Sequence, residues 1–321
     1  NGAIYVCRAI DTTAVKTFRF NDLCPRAWAL SPVGDQILTI EGRFAASRGL
    51  DGTNRYYFYG STCVCWLSMN AALAVGSFDG RIGIWIMPGA EGRRLSGHRG
   101  PVTALAYSSS RKFLASCGVD ECVRVWSVDD GSLLHEFSCS SKVVLSLAFA
   151  DDGESLVVAN SSGQIERWNL EKQTALPSIS FSNENVIDVL LSPNATSLAV
   201  DLGIEILIVD VASGRESMRL TADRYEVEEY RSANFGHTRR MSFDANGDRL
   251  AVLSNAGPTL YDVRQGSMIA KWAHVIKNPR GLSLSPSGDR ITFTGDSEAK
   301  RDCSQMWFWE ISSEKPEDRK S

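Results

Sequence analysis

The residues best suited to nucleophilic, acid–base or metal chemistry are four histidines and eight cysteines. The thiols are Cys7, Cys24, Cys63, Cys65, Cys117, Cys122, Cys139 and Cys303. Cys63-Val64-Cys65 would put two thiols on one face of a strand, and Cys117 and Cys122 would flank a hairpin. Structural zinc takes four ligands, usually from paired Cys-x-x-Cys or His spacing, and neither set offers that. No metal and no cofactor are expected. His135, His237 and His274 have no motif partners, so an exposed or hydrogen-bonded structural role is expected of them. Gly76-Ser77-Phe78-Asp79-Gly80 reads as a turn between strands and not as a phosphate loop. Arg93-Arg94 and Arg239-Arg240 sit in balanced surroundings, for which a solvated surface is the default. Asn160 and Asn194 open glycosylation-type tripeptides, read as chance in a chain whose thiols are read as free in a reducing compartment.

The elements that must carry these residues are strands. The chain has 321 residues, 43% hydrophobic and 22% charged, enough for a large core. The formal net charge of -4 is small for the size, so no overall field points to nucleic acid or an anionic membrane. No apolar run reaches membrane-helix length, and no signal-peptide pattern opens the sequence. A cytoplasmic location is expected. No helical period is sustained, and Pro and Gly interrupt too often to allow one.

One unit carries the organisation. Gly97-His98 leads to Val102, Leu105 and Tyr107, then Phe113-Leu114-Ala115-Ser116, then Asp120, then Val123-Arg124-Val125-Trp126, and the unit closes through Leu133 to Phe137. Four short strands separated by turn residues fit this pattern, here called a, b, c and d. The frame recurs, with turns of Ser31-Pro32-Val33-Gly34-Asp35 and Ser285-Pro286-Ser287-Gly288-Asp289 type before strand b. Strand c ends on Trp85, Trp126, Trp168, Val209, Tyr261 and Trp309. Strand a starts fall near Trp28, Val64, Leu105, Leu147, Val189, Met241 and Leu284. Their spacing is close to forty residues, a propeller-blade period.

The unit from Gly97 to Phe137 resembles a WD repeat, strongly there and in degenerate form over nearly the whole chain. The resemblance implies an all-β, WD-type β-propeller, most simply of seven blades of four antiparallel strands, with eight possible. It also implies a structural network of four side chains, His98, Ser116, Asp120 and Trp126. Blade two keeps Asp79 and Trp85 but has Val75 at the serine position, and blade four keeps Trp168 with Ser162 where the Asp would be. His237 falls out of register and is expected at the entrance of a strand a.

One propeller domain is expected over residues 1–312, followed by a polar tail, 313–321. The frame begins in mid-blade: Ala3 to Cys7 fits a strand c and Val15 to Phe20 a strand d, so a fragment of a longer chain is expected. In a seven-bladed ring Val15 to Phe20 would supply the missing outer strand of the last blade, leaving Ala3 to Cys7 surplus.

The functional expectation is a non-catalytic protein-interaction scaffold or sensor module, monomeric in itself, binding other proteins and neither nucleic acid nor membrane. Its partners are expected on the face of the b–c and d–a connections. The residues expected there are Phe78, the insertion Ala222 to Phe235 with Tyr225, Glu226, Glu228, Glu229 and Tyr230, and the stretched loop Asp296 to Asp302 with Lys300 and Arg301. Large exposed aromatics make good anchors, and variation in length is possible only in loops. The alternative is an enzyme with its site in the central funnel. Strand a starts are mostly apolar, with Asp188 the clearest ionisable exception.

Overall fold

A computed structural model describes residues 3–7, 14–19, 27–31, 36–41, 44–49, 55–68, 72–86, 90–139, 144–150, 153–160, 164–180, 188–223, 240–272, 277–285, 287–296 and 304–310. All regular structure among them is β-strand, in seven sheets. Six sheets have four antiparallel strands in sequence order, each drawn from one continuous stretch of chain. The first contains β3 (Ala27–Leu30), β4 (Gln36–Glu41), β5 (Phe44–Gly49) and β6 (Arg55–Tyr59). The second contains β7 (Ser61–Ser68), β8 (Ala72–Ser77), β9 (Arg81–Ile86) and β10 (Ala90–Ser96). The third contains β11 (Val102–Ser108), β12 (Phe113–Gly118), β13 (Cys122–Ser127) and β14 (Leu133–Ser138).

The fourth, fifth and sixth repeat the order, beginning with β15 (Val144–Phe149), β19 (Asp188–Leu191) and β23 (Met241–Phe243). First strands of successive sheets touch, β3 with β7, β7 with β11, β11 with β15 and β15 with β19. The fifth and sixth sheets meet through Leu190 with Met241 and Phe243, β23 meets β27 (Lys277–Leu284) of the seventh sheet, and β27 returns to β3, which closes the ring. Five of the seven expected strand a starts lie inside these strands, and Met241 is the first residue of β23. Leu284 is the last residue of β27, so the seventh strand a begins earlier than the pattern suggested.

Apolar layers between neighbouring sheets hold the ring. Ala115, Val123 and Val125 of the third sheet pack with Leu156 and Val158 of the fourth, and Val189, Leu198 and Val200 of the fifth meet Val157 and Ile165. Middle strands are therefore covered on both faces, which is why β12 and β13 are buried nearly throughout. β14 has one neighbour and one solvent edge, and Leu133 and Leu134 stand exposed on it.

The seventh sheet departs from the expectation. Its order is β2 (Ala14–Arg19), β1 (Ala3–Cys7), β29 (Ser304–Glu310), β28 (Arg290–Asp296) and β27. Ala3–Cys7 is not surplus. It pairs in parallel with β29, Ala3 opposite Gln305, and β2 lies outside it as a fifth strand. β1 and β2 form an antiparallel hairpin, and an open sheet edge accepts the nearer strand of such a pair.

Candidate functional site

The four side chains named by the resemblance converge inside the third sheet. Ser116 and Trp126 lie on the adjacent strands β12 and β13, while His98 enters from the connection before β11 and Asp120 from the turn between β12 and β13. The Trp126 Nε1–H donates to Ser116 Oγ at 2.9 Å. Ser116 Oγ lies 2.8 Å from His98 Nε2, and His98 Nδ1 lies 2.8 Å from Asp120 Oδ1. The indole can only donate and the carboxylate only accept, so one arrangement satisfies these three contacts, and Arg124 Nη1, which lies 2.7 Å from the same His98 Nδ1, makes its hydrogen bond to Asp120 instead. Ser116 donates to Nε2, and the neutral imidazole carries its proton on Nδ1 and donates it to Asp120.

The charge around this chain fits that tautomer. Burial lowers the His98 pKa below its usual value, against the pull of Asp120. Burial would raise the Asp120 carboxyl, but hydrogen bonds from Arg124, His98 and the Arg99 backbone N–H overcome it and hold the group at about 2. Arg124 is a member that sequence reasoning missed. It is buried on β13, its Nη1 donates to Asp120 Oδ2 at 2.8 Å and its Nε to Glu136 Oε2 at 2.8 Å. An arginine between Val123 and Val125 in a strand covered on both sides was the available signal.

Other sheets solve the same position differently. Asp79 is exposed and pairs with Arg81 at 3.3 Å, while Trp85 packs on Phe58 with ring centroids 4.9 Å apart. Trp168 stacks on Phe137 at 5.3 Å, as does His135 at 5.9 Å. Tyr261 stands in the tryptophan place, and its hydroxyl donates to the Thr221 carbonyl of the preceding sheet at 2.7 Å. Ser162, His237 and His274 lie outside the described residues.

One expectation about charge needs correction. Arg93 and Arg94 are exposed, but Arg240 is only 2% exposed and Asp201 is fully buried. Arg240 Nε and Nη2 donate to the two oxygens of Asp201, and Nη2 also donates to the Gly203 carbonyl at 2.6 Å. The pair ties the fifth sheet to the entrance of the sixth. Asp188 lies directly opposite Asp201 in the ladder, is 9% exposed, and accepts the Val189 N–H. The sequence signal was Asp201 at the end of the apolar run Leu198-Ala199-Val200.

Cys63, Cys65, Cys117, Cys122 and Cys139 are thiols without a disulfide. Burial pushes Cys65 and Cys139 up to about 12, which makes poor nucleophiles. Asn160 is buried, and Asn194 is held in its turn by Ser192, Thr196 and the Asn246 carbonyl.

Because each strand reverses the last, b–c and d–a connections share one face. Phe78, in the β8–β9 turn, is exposed there, and its N–H donates to the Gly60 carbonyl at 3.0 Å. That bond sets it beside Tyr59, which is 83% exposed. Two residues on, Gly80 has φ of +83°, and a Cβ there would lie 2.2 Å from the His98 carbonyl oxygen. The turn is thus seated against the His98 connection. Val119 occupies the corresponding place in the third sheet, exposed, with its N–H on the Pro101 carbonyl at 3.1 Å. Ile204 stands exposed in the β–β turn that follows Asp201. Tyr225, Glu226, Glu228, Glu229, Tyr230, Lys300 and Arg301 lie outside the described residues.

Seven sheets in a closed ring, with the His–Ser–Trp–Asp network in one of them, define a WD-type β-propeller. The family model for the WD domain, G-beta repeat, matches residues 89–127, the segment that holds this network. Periodic tryptophan protein 2 homolog of Schizosaccharomyces pombe is 36% identical over 119 residues, which cover 36% of this chain and 14% of that protein. The guanine nucleotide-binding protein subunit beta of Saccharomyces cerevisiae is 24% identical over 255 residues, 76% of this chain and 57% of that one. The match thus spans a small part of the first relative and little more than half of the second. The solved structure of U3-55K superposes with a TM-score of 0.69 at 16% identity, covering 86% of this chain and 90% of that chain, a likeness of fold.

Proposed function

We propose that the chain is a non-catalytic protein-interaction scaffold that docks other proteins on the face of its b–c and d–a connections. The observation that carries this reading is the apolar arc of Tyr59, Phe78 and Val119. Three exposed apolar side chains lie at the end of β6 and on the β8–β9 and β12–β13 turns, whose backbones are hydrogen-bonded or packed together beneath them. Clustered exposed apolar groups on rigid turns bury area on binding at little entropic cost, the composition of a contact patch. The WD repeat and the WD-repeat relatives support a scaffold role in general. Proteins are favoured over nucleic acid and membrane because the balance of charge is slightly acidic. A funnel enzyme is the weaker reading, since Asp188 is buried and accepts a backbone hydrogen bond inside the fifth sheet. A cytoplasmic location and a monomeric propeller over residues 1–312 are part of the proposal.

The test is partner capture from the native source with Phe78→Ala, Tyr225→Ala and Tyr230→Ala combined. Loss of bound partners at an unchanged urea midpoint is expected. Partners that survive these changes, and are lost when the a–b and c–d turns are altered, would place the docking face on the opposite side.

A further inference from the structure

The chain contains the pattern Arg-Arg-x-Ser twice, as Arg93-Arg94-Leu95-Ser96 and Arg239-Arg240-Met241-Ser242. Serine kinases that select substrates by charge hold the two arginines in acidic pockets and take the serine hydroxyl in an extended segment. The fold treats the two copies in opposite ways. Arg240 is buried against Asp201, and the Ser242 hydroxyl accepts the Leu284 N–H at 2.9 Å. In the other copy Arg93, Arg94 and Ser96 are all exposed. They lie on β10, the outer strand of its sheet, which is extended and has one hydrogen-bonded neighbour. Ser96 is the last residue of that strand, before Gly97.

We propose that Ser96 is a phosphorylation site for a basic-directed serine kinase using ATP. The Ser96 Oγ would form a bond to the γ-phosphorus as the bridge to the β-phosphate breaks, ADP would leave, and the hydroxyl proton would pass to the base of the kinase. The new group carries about -1.5 to -2 charges. Its surroundings are prepared for it. Arg81 lies directly opposite Ser96 in the β9–β10 ladder, and Arg94 is two residues back on the same side of the strand. Phosphate oxygens there compete with Asp79 for the Arg81 guanidinium, which now lies 3.3 Å from that carboxylate. Asp79 follows Phe78, so the modification changes charge at the edge of the docking arc. This last consequence rests on the proposed function; the modification itself does not.

The folded protein is incubated with ATP and the catalytic subunit of a cyclic-AMP-dependent kinase, and the sites are mapped by mass spectrometry. Label at Ser96 and none at Ser242 is expected, with a tenfold or greater loss in Arg93→Ala plus Arg94→Ala. Label that appears only after unfolding, or equally at both serines in the folded protein, overturns the proposal. The second pKa of the phosphate, read by phosphorus NMR, is expected below its usual value of about 6 and to rise in Arg81→Ala. An unchanged value removes Arg81 from the account. Partner capture is measured separately on the phosphorylated chain, so failure of the docking face cannot be mistaken for failure of the site.

Discussion

Ser116 accepts the Trp126 indole N–H at 2.9 Å and donates its own hydroxyl hydrogen bond to His98 Nε2 at 2.8 Å, so one hydroxyl joins a buried ring on strand c to the connection that enters the sheet. Both partners lose their hydrogen bond together if this hydroxyl is removed.

Ser116→Ala is therefore expected to cost more than a typical hydrogen bond. It leaves the Trp126 N–H and His98 Nε2 buried and unpaired, at about 1–3 kcal/mol for each orphaned group. His98→Ala, which strands Ser116 and Asp120 but opens space for water, is expected to cost about 1–3 kcal/mol. Urea titrations of the two variants and the double variant measure this. A double variant no worse than Ser116→Ala alone is the signature of one connected network.

Stability should fall with acidity in two steps. His98 has a folded pKa below the ordinary 6.5, so as pH drops through that value the unfolded chain takes a proton that the folded one refuses. Asp120 adds a second loss, beginning near its unfolded value of 3.8 and complete below about 2. Urea midpoints at pH 8 and pH 5 should differ in the wild type, and the difference should shrink in His98→Gln.

Arg240→Met is expected to cost about 3–5 kcal/mol, because it leaves the Asp201 carboxylate buried without its cation. Asp201→Leu combined with Arg240→Met should recover most of the loss, since apolar residues filling the same space spare both desolvation penalties. Thermal unfolding of the two single variants and the double variant completes the cycle. Additive losses would show that the two side chains are not coupled.

Gly80→Ala is expected to cost about 1–3 kcal/mol. The residue has φ of +83°, and its methyl would meet a backbone carbonyl that cannot swing away. The same change at Gly60, also at positive φ but with open space around it, should cost less. Comparing the two variants separates backbone strain from collision.

The propeller was legible because its constraints are local and repeated. The Gly97 to Phe137 unit contains its own turns, its own network and its own alternation, so it could be read without distant partners. Degenerate sheets were read by register from it, which placed Val209 and Tyr261 on their strands. What escaped is what crosses between sheets. Arg240 meets Asp201 across 39 residues, and nothing near Arg239-Arg240 in the sequence announces a buried carboxylate. Arg124 was hidden for a different reason: the network named by the resemblance was already complete in hydrogen bonds, and the arginine answers the charge that the network leaves on Asp120. The place of Ala3–Cys7 depended on the far end of the chain, so no local pattern could fix it.

That seam has a kinetic consequence. Six sheets are built from contiguous segments such as Val102 to Ser138, and their hairpins close over short loops. The seventh joins Ala3 to Gln305. The entropic cost of closing a loop grows only as its logarithm, by about 0.6 kcal/mol per doubling, so the seam costs about 3 kcal/mol more than a ten-residue hairpin. The larger burden is one of order. Ala3 with Gln305 and Ile4 with Met306 are pairs separated by nearly the whole described chain, so closure of this ladder is expected among the late steps of folding.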